Sequence, residues 1–106
     1  MKKETQSRLL LKLTKKRKEL DLINQKLLTL LNQRLRISLD IGKVKKEMGK
    51  KIHDPGRERE ILNKLKQKNR GPLKEQDLRK IFTTIMKVCR QSQIQARSPS
   101  KARNCM

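Results

Sequence analysis

The stretch LDLINQKLLTLLNQRLRISLDIGKVKKEM, from Leu20 to Met48, carries the plainest pattern in this chain. Apolar residues recur in it at alternating steps of three and four: Leu20, Ile23, Leu27, Leu30, then Ile37, Ile41, Val44 and Met48. Such steps draw one stripe along a helix. The stripe is broken once, at Arg34, where Leu or Ile would be the default. A guanidinium in a helix seam is costly unless an anion meets it. Arg34 therefore asks for either a buried acid of the protein or an anionic ligand.

Outward from this stretch the helix extends back to about Ser7, a candidate cap, with no proline and a lone Gly42. Gly49 is the expected C-terminal stop. At 1.5 Å per residue, about 40 residues make a rod of roughly 60 Å. A compact monomer of this size has a radius of gyration of only about 13 Å. The remainder of the chain is too short to cover such a rod. The stripe must be buried against a second copy, which predicts an obligate homodimer.

A second helix is predicted from Asp54-Pro55, since Asp54 suits the N-cap and Pro55 the first turn. Its apolar positions are Ile61, Leu62 and Leu65, and it ends at Asn69-Arg70-Gly71-Pro72. A third runs from about Lys74 to about Gln95, with the stripe Leu78, Ile81, Phe82, Ile85, Met86 and Cys89. Gln93 continues that stripe, so an amide occupies an apolar register. After Ala96 the chain has neither periodicity nor acidic residues. The expected organisation is an all-α helical domain over residues 1–96, with three helices and a very long first one, followed by a disordered basic tail over 97–106.

Composition agrees with an all-helical, heavily solvated protein. The 106 residues are 33% hydrophobic and include one aromatic, Phe82. The formal net charge is +20, from 30 Lys and Arg against 10 Asp and Glu, which favours anionic partners. Nucleic acid is the first candidate. However, single-strand binders stack bases on aromatic rings, and Tyr and Trp are absent. No zinc-finger spacing, RNA-binding module or compact helix-turn-helix signal is visible. Cys89 and Cys105 do not suggest a disulfide framework, and a reducing compartment is the simpler reading. The longest N-terminal apolar run, Leu9 to Leu11, is too short for a signal-peptide core or a membrane span. The expected location is cytoplasmic, with no membrane partner.

Several polar groups need explaining. Arg34 and Lys45 are eleven residues apart, close to three helical turns, so they share one side about 16 Å apart along the axis. A ligand between them is within reach of both. Arg17 is about 25 Å from Arg34 and turned by roughly 100°, so it cannot share a small ligand with Arg34 of the same helix. It is either part of the solvated run Lys15 to Lys18 or, in a dimer of long antiparallel helices, a contributor to the partner's site. Lys45 also has a solvated reading beside Lys46. Gln93 either marks fraying or faces a polar group. Asp54 is explained by capping. His53, the only histidine, reads as a loop residue, and Cys89 as a small core residue. Nothing resembles a metal site or a catalytic triad. The residues alone reach a helical dimer with cations and an amide turned inward, suited to a small polyanion.

These residues also resemble a known family. Leu22-Ile23-Asn24-Gln25-Lys26-Leu27-Leu28, Leu30-Leu31, Arg34 and Ile41-Gly42-Lys43-Val44-Lys45 are similar to the first helix of the all-helical, AroQ-type chorismate mutases. DPGREREIL, Asp54 to Leu62, is similar to the family's second-helix signature. Asn69, Gly71-Pro72-Leu73, Ile81-Phe82 and Ile85-Met86 are similar to the start and core of its third helix. The resemblance spans roughly Arg17 to Gln93.

It implies an intertwined homodimer of three-helix subunits that converts chorismate to prephenate in aromatic amino-acid biosynthesis, with no cofactor and no metal. It implies that Arg17 reaches into the partner's site, in trans, to bind a substrate carboxylate. Arg34 would hold a carboxylate from within the subunit. Lys45 would contact a carboxylate and the breaking ether oxygen, to which Gln93 would donate a hydrogen bond. Asp54, through its backbone, and Glu58 would meet the ring hydroxyl, and Arg57 would line the pocket. Cys89 stands where some members carry a serine near a carboxylate, and a thiol is the weaker donor. Two other functions fit the same residues: a lyase of this fold that removes pyruvate from isochorismate, and a basic helical nucleic-acid-binding protein.

Overall fold

The computed structural model describes residues 2–97. They form three helices: α1 (Lys2–Glu47), α2 (Pro55–Lys68) and α3 (Glu75–Arg97). This is the expected all-helical order. The chain divides into two compact units, Met1–Arg34 and Leu35–Met106. The tail expected beyond Arg97 lies outside the described residues.

The first unit is the N-terminal part of α1. The helix starts at Lys2, not near Ser7, so Ser7 lies inside it and does not cap it. The segment Lys2, Lys3, Glu4, Gln6 is rich in good helix formers, which carry the helix back beyond the expected boundary. Thr14 Oγ1 and Thr29 Oγ1 donate to the carbonyls of Leu10 and Gln25, at 2.9 and 3.1 Å, and so are satisfied within the helix. The stripe residues Leu20, Ile23, Leu27 and Leu30 remain 49–60% exposed. Arg17 is exposed and Arg34 half-buried.

The second unit holds the last turns of α1 with α2 and α3. α1 stops as expected at Gly49, whose φ of 69° is the left-handed conformation that glycine adopts without a Cβ penalty. The Gly49 N–H donates to Lys46 O at 3.1 Å and the Lys50 N–H to Lys45 O at 2.8 Å. That pair of bonds is a Schellman closure, and it satisfies carbonyls that the helix end would leave open. Asp54 caps α2 as expected: its Oδ1 accepts from the Arg57 N–H at 3.1 Å, and Pro55 opens the first turn. Asp54→Ala is expected to cost about 1 kcal/mol in urea unfolding, with Asp54→Asn close to wild type.

The core of this unit lies along α3. Leu78, Met86 and Cys89 are buried, and Phe82, Ile85, Ile61, Leu62 and Leu65 are half-buried between α2 and α3. The α2–α3 turn is closed by Asn69, whose Nδ2 donates to Leu73 O at 2.8 Å while its Oδ1 accepts from the Gly71 N–H at 3.2 Å. Lys66 and Glu75 pair across it at 3.1 Å. On α2, Lys64 chiefly, with help from Arg57, holds the exposed Glu60 carboxyl below the usual carboxylate range.

The α1 segment of this unit has two contrasting faces. Ile37, Ile41, Val44 and Met48 are 47–60% exposed. Gly42 is buried, with Ser38 and Lys45 half-buried, on the face that meets α3. The α1 segment thus sets small and polar residues at its contact with α3, beside the half-buried Leu35 and Leu39, while the stripe of Ile37, Ile41, Val44 and Met48 stays exposed.

Candidate active site

The contact between α1 and α3 is built on a glycine. A Cβ placed on Gly42 would stand 3.0 Å from Gln93 Cγ and 3.4 Å from its Cβ and Cδ. Only a residue without a side chain lets the stem of Gln93 lie so close to the α1 backbone. Gln93 is buried, 7% exposed, in an otherwise apolar register of α3. A buried amide needs partners, and Ser38 supplies them. Gln93 Nε2 donates to the Ser38 carbonyl oxygen and, at 3.0 Å, to Ser38 Oγ. Gln93 therefore does not mark fraying.

Lys45 follows Gly42 by three residues, about 4.5 Å along α1 and nearly on the same face. Its Nζ donates to the Ile52 carbonyl at 3.0 Å, in the loop between α1 and α2. Its own carbonyl is held by the Schellman closure. Both ends of the residue are thus tied to one short loop, which fixes where the ammonium lies.

Glu58, on the first turn of α2, faces α3. Its Oε2 lies 2.9 Å from Arg90 Nε and 3.9 Å from His53 Nε2. Arg90 directly follows the buried Cys89, which lies one turn before Gln93. Arg97 closes the far end: its Nη2 donates to Gly42 O at 3.3 Å and to Lys50 O at 3.4 Å.

Of the residues read from the sequence, the second unit holds Lys45, Glu58, Cys89 and Gln93 as buried or half-buried side chains, with Asp54 exposed at the start of α2. The Asp54 side chain is occupied by capping and its carbonyl accepts from the Glu58 N–H at 3.1 Å. The Arg57 guanidinium is directed to Glu60 at 3.1 Å, on the exposed side of α2. Arg17 and Arg34 belong to the first unit. Three residues escaped the sequence reading: Ser38, Arg90 and Arg97. Ser38 and Gly42 form a small-residue pair four apart, which is a usable signal for close helix approach. Arg90 and Arg97 carried no local signal, being two cations among many.

The facing sides of these helices thus carry a lysine, a buried amide and a carboxylate–guanidinium pair. The chain belongs to the type II chorismate mutase family, whose profile matches residues 16–94. It is 36% identical over 77 residues to a bifunctional chorismate mutase/prephenate dehydratase of Aquifex aeolicus, and 32% identical over 78 residues to one of Pseudomonas aeruginosa. Each match covers 69% of this chain, which spans 21% of the relative's length. Among solved structures, form II of the chorismate mutase from Thermus thermophilus superposes with a TM-score of 0.71 at 38% identity, covering 73% of this chain and 88% of that one. Form I of that enzyme gives 0.67 at 40% identity, over 69% and 91%.

Proposed function

We propose that this chain is a chorismate mutase, rearranging chorismate to prephenate in a homodimer. The observation that carries the reading is Gln93: a buried amide seated on a glycine, one turn of α1 from Lys45. The rearrangement is unimolecular and pericyclic, so its demands are geometric and electrostatic. The extended dianion must be folded so that its reacting carbons meet, which cations do by holding both carboxylates. As the C–O bond breaks, negative charge grows on the ether oxygen. A fixed ammonium and amide beside that oxygen stabilise the transition state more than the ground state.

In this reading Lys45 and Arg34 hold the carboxylates from within the subunit, and the partner's copy of Arg17 completes the clamp. Lys45 and Gln93 meet the ether oxygen. Glu58 and the backbone at Asp54 take the ring hydroxyl, and the Cys89 thiol makes a minor contact. The exposed apolar stripe from Leu20 to Met48 supports the dimer, since a row of half-exposed Leu and Ile on one helix is an interface in waiting. Among the described residues no helix is long and apolar enough to cross a membrane, and we place the enzyme in the cytoplasm.

The test is incubation of the purified protein with chorismate and, separately, with isochorismate. Chorismate consumption with prephenate formation is the expected result. Pyruvate release from isochorismate alone would make the protein a lyase. Salt-sensitive duplex DNA binding, without turnover of either, would replace both readings.

The seat of Gln93 gives a further expectation. Gly42→Ala puts a methyl group 3.0 Å from Gln93 Cγ, so the buried, doubly hydrogen-bonded side chain must give way by a few tenths of an ångström. Displacing a catalytic donor by a few tenths of an ångström is expected to lower kcat roughly tenfold or more. The overpacking costs about 1–3 kcal/mol in thermal unfolding. Wild-type kcat in Gly42→Ala would remove Gln93 from the chemistry.

A further inference from the structure

The Gln93 amide is held by a single residue of α1 through two different atoms. Nε2 donates to the Ser38 carbonyl oxygen and to Ser38 Oγ. Only the NH2 end of an amide can face a carbonyl, so this contact also sets which way the amide points. An NH2 group has two hydrogens, and here both are spent on Ser38. The proposed reaction requires one of them at the ether oxygen. The two acceptors differ in how readily they let go. The Ser38 carbonyl is part of the α1 backbone and cannot turn away. The hydroxyl sits on a side chain that changes rotamer, and it is itself able to find other partners. The Gln93 stem is pinned against Gly42, so the amide cannot follow.

We propose that Ser38 is a positioning residue for Gln93: its carbonyl anchors the amide, while its hydroxyl occupies the second N–H until the substrate's ether oxygen takes its place. This inference rests on the chorismate mutase reading above. In the wild-type protein substrate binding exchanges one hydrogen bond of Gln93 for another, so the bond to the ether oxygen adds little net affinity. Removing the hydroxyl leaves a buried donor open in the free protein. That opening is unfavourable before substrate binds and is relieved once it does.

Ser38→Ala is therefore expected to move two properties in opposite directions. Its melting temperature falls, and its KM for chorismate also falls, by roughly fivefold for one ordinary hydrogen bond, with kcat little changed. Ser38→Cys keeps the shape with a weaker acceptor and shows a smaller fall in KM. Ser38→Thr retains the hydroxyl and restores the wild-type KM. A purely structural role for the hydroxyl predicts something else: stability and kcat falling together, with KM unchanged or raised. That result in Ser38→Ala, or in Ser38→Cys if the alanine variant does not fold, overturns the inference. Wild-type turnover is measured first. Its absence sinks the functional reading and this inference together, whereas turnover with an unmoved KM in both variants sinks this inference alone.

Discussion

Lys45→Ala is expected to lower kcat/KM for chorismate by about 10³-fold or more, in a protein that stays folded. Removing one fixed donor to a developing oxyanion typically costs about 2.7–4 kcal/mol of barrier, or 10²–10³ in rate. Lys45 carries a second duty in the proposed site, a substrate carboxylate, and an unpaired buried charge adds to the loss. The structure shows why the folding cost is smaller. Among the described residues the Lys45 ammonium makes one hydrogen bond, 3.0 Å to the Ile52 carbonyl, and the closure of α1 depends on the Lys45 backbone, not on its side chain. Losing one such bond costs about 1 kcal/mol. The other ammonium hydrogens are available to a ligand. Chorismate consumption by wild type and variant at matched concentration, beside a thermal melt of each, separates the two effects. Lys45→Gln keeps a donor without the charge and is expected to fall between them. A variant Lys45→Ala that keeps more than a tenth of the wild-type activity would remove the lysine from the reaction.

The parts of this molecule that could be read from its sequence are those that depend on near neighbours in the chain. Asp54-Pro55 announced the start of α2 because an N-cap and a first-turn proline act within four residues. Gly49 announced the end of α1 because the left-handed residue of a Schellman closure needs no tertiary contact. Ser7 misled for the same local reason: a capping residue type does not cap where strong helix formers precede it. Gln93 was visible as an anomaly, an amide in an apolar register, but its partner was not. Ser38 lies 55 residues away, and only the crossing of α1 over α3 joins the two. Glu58 and Arg90 meet for a similar reason, through the packing of α2 on α3. The sequence thus marked which residues were out of place in a helical core. It did not show which of them would meet.

The proposed sharing of a site between two chains makes the second large prediction. Arg17→Ala alone is expected to lower kcat/KM by roughly 10²-fold or more, the usual scale for truncating one member of a desolvated charge pair. The informative experiment combines it with Lys45→Ala. In a homodimer whose sites each take Arg17 from one chain and Lys45 from the other, both pure variants are nearly inactive in every site. A mixed dimer is different. The chain with intact Lys45 receives intact Arg17 from its neighbour, and the two lesions fall together in the other site. Unfolding the two variants together and refolding them at equal concentration gives half mixed dimers, each with one good site, so about a quarter of the wild-type activity returns. The exposed stripe of Leu20, Ile23, Leu27, Leu30, Ile37, Ile41, Val44 and Met48 provides the control. Leu27→Lys, which puts a charge in that seam, should block recovery by keeping the chains apart, with sedimentation reporting monomers. No recovery on mixing, in a preparation that sediments as a dimer, would mean that Arg17 serves its own chain or only the solvent. A folded, active monomer would remove the shared site altogether.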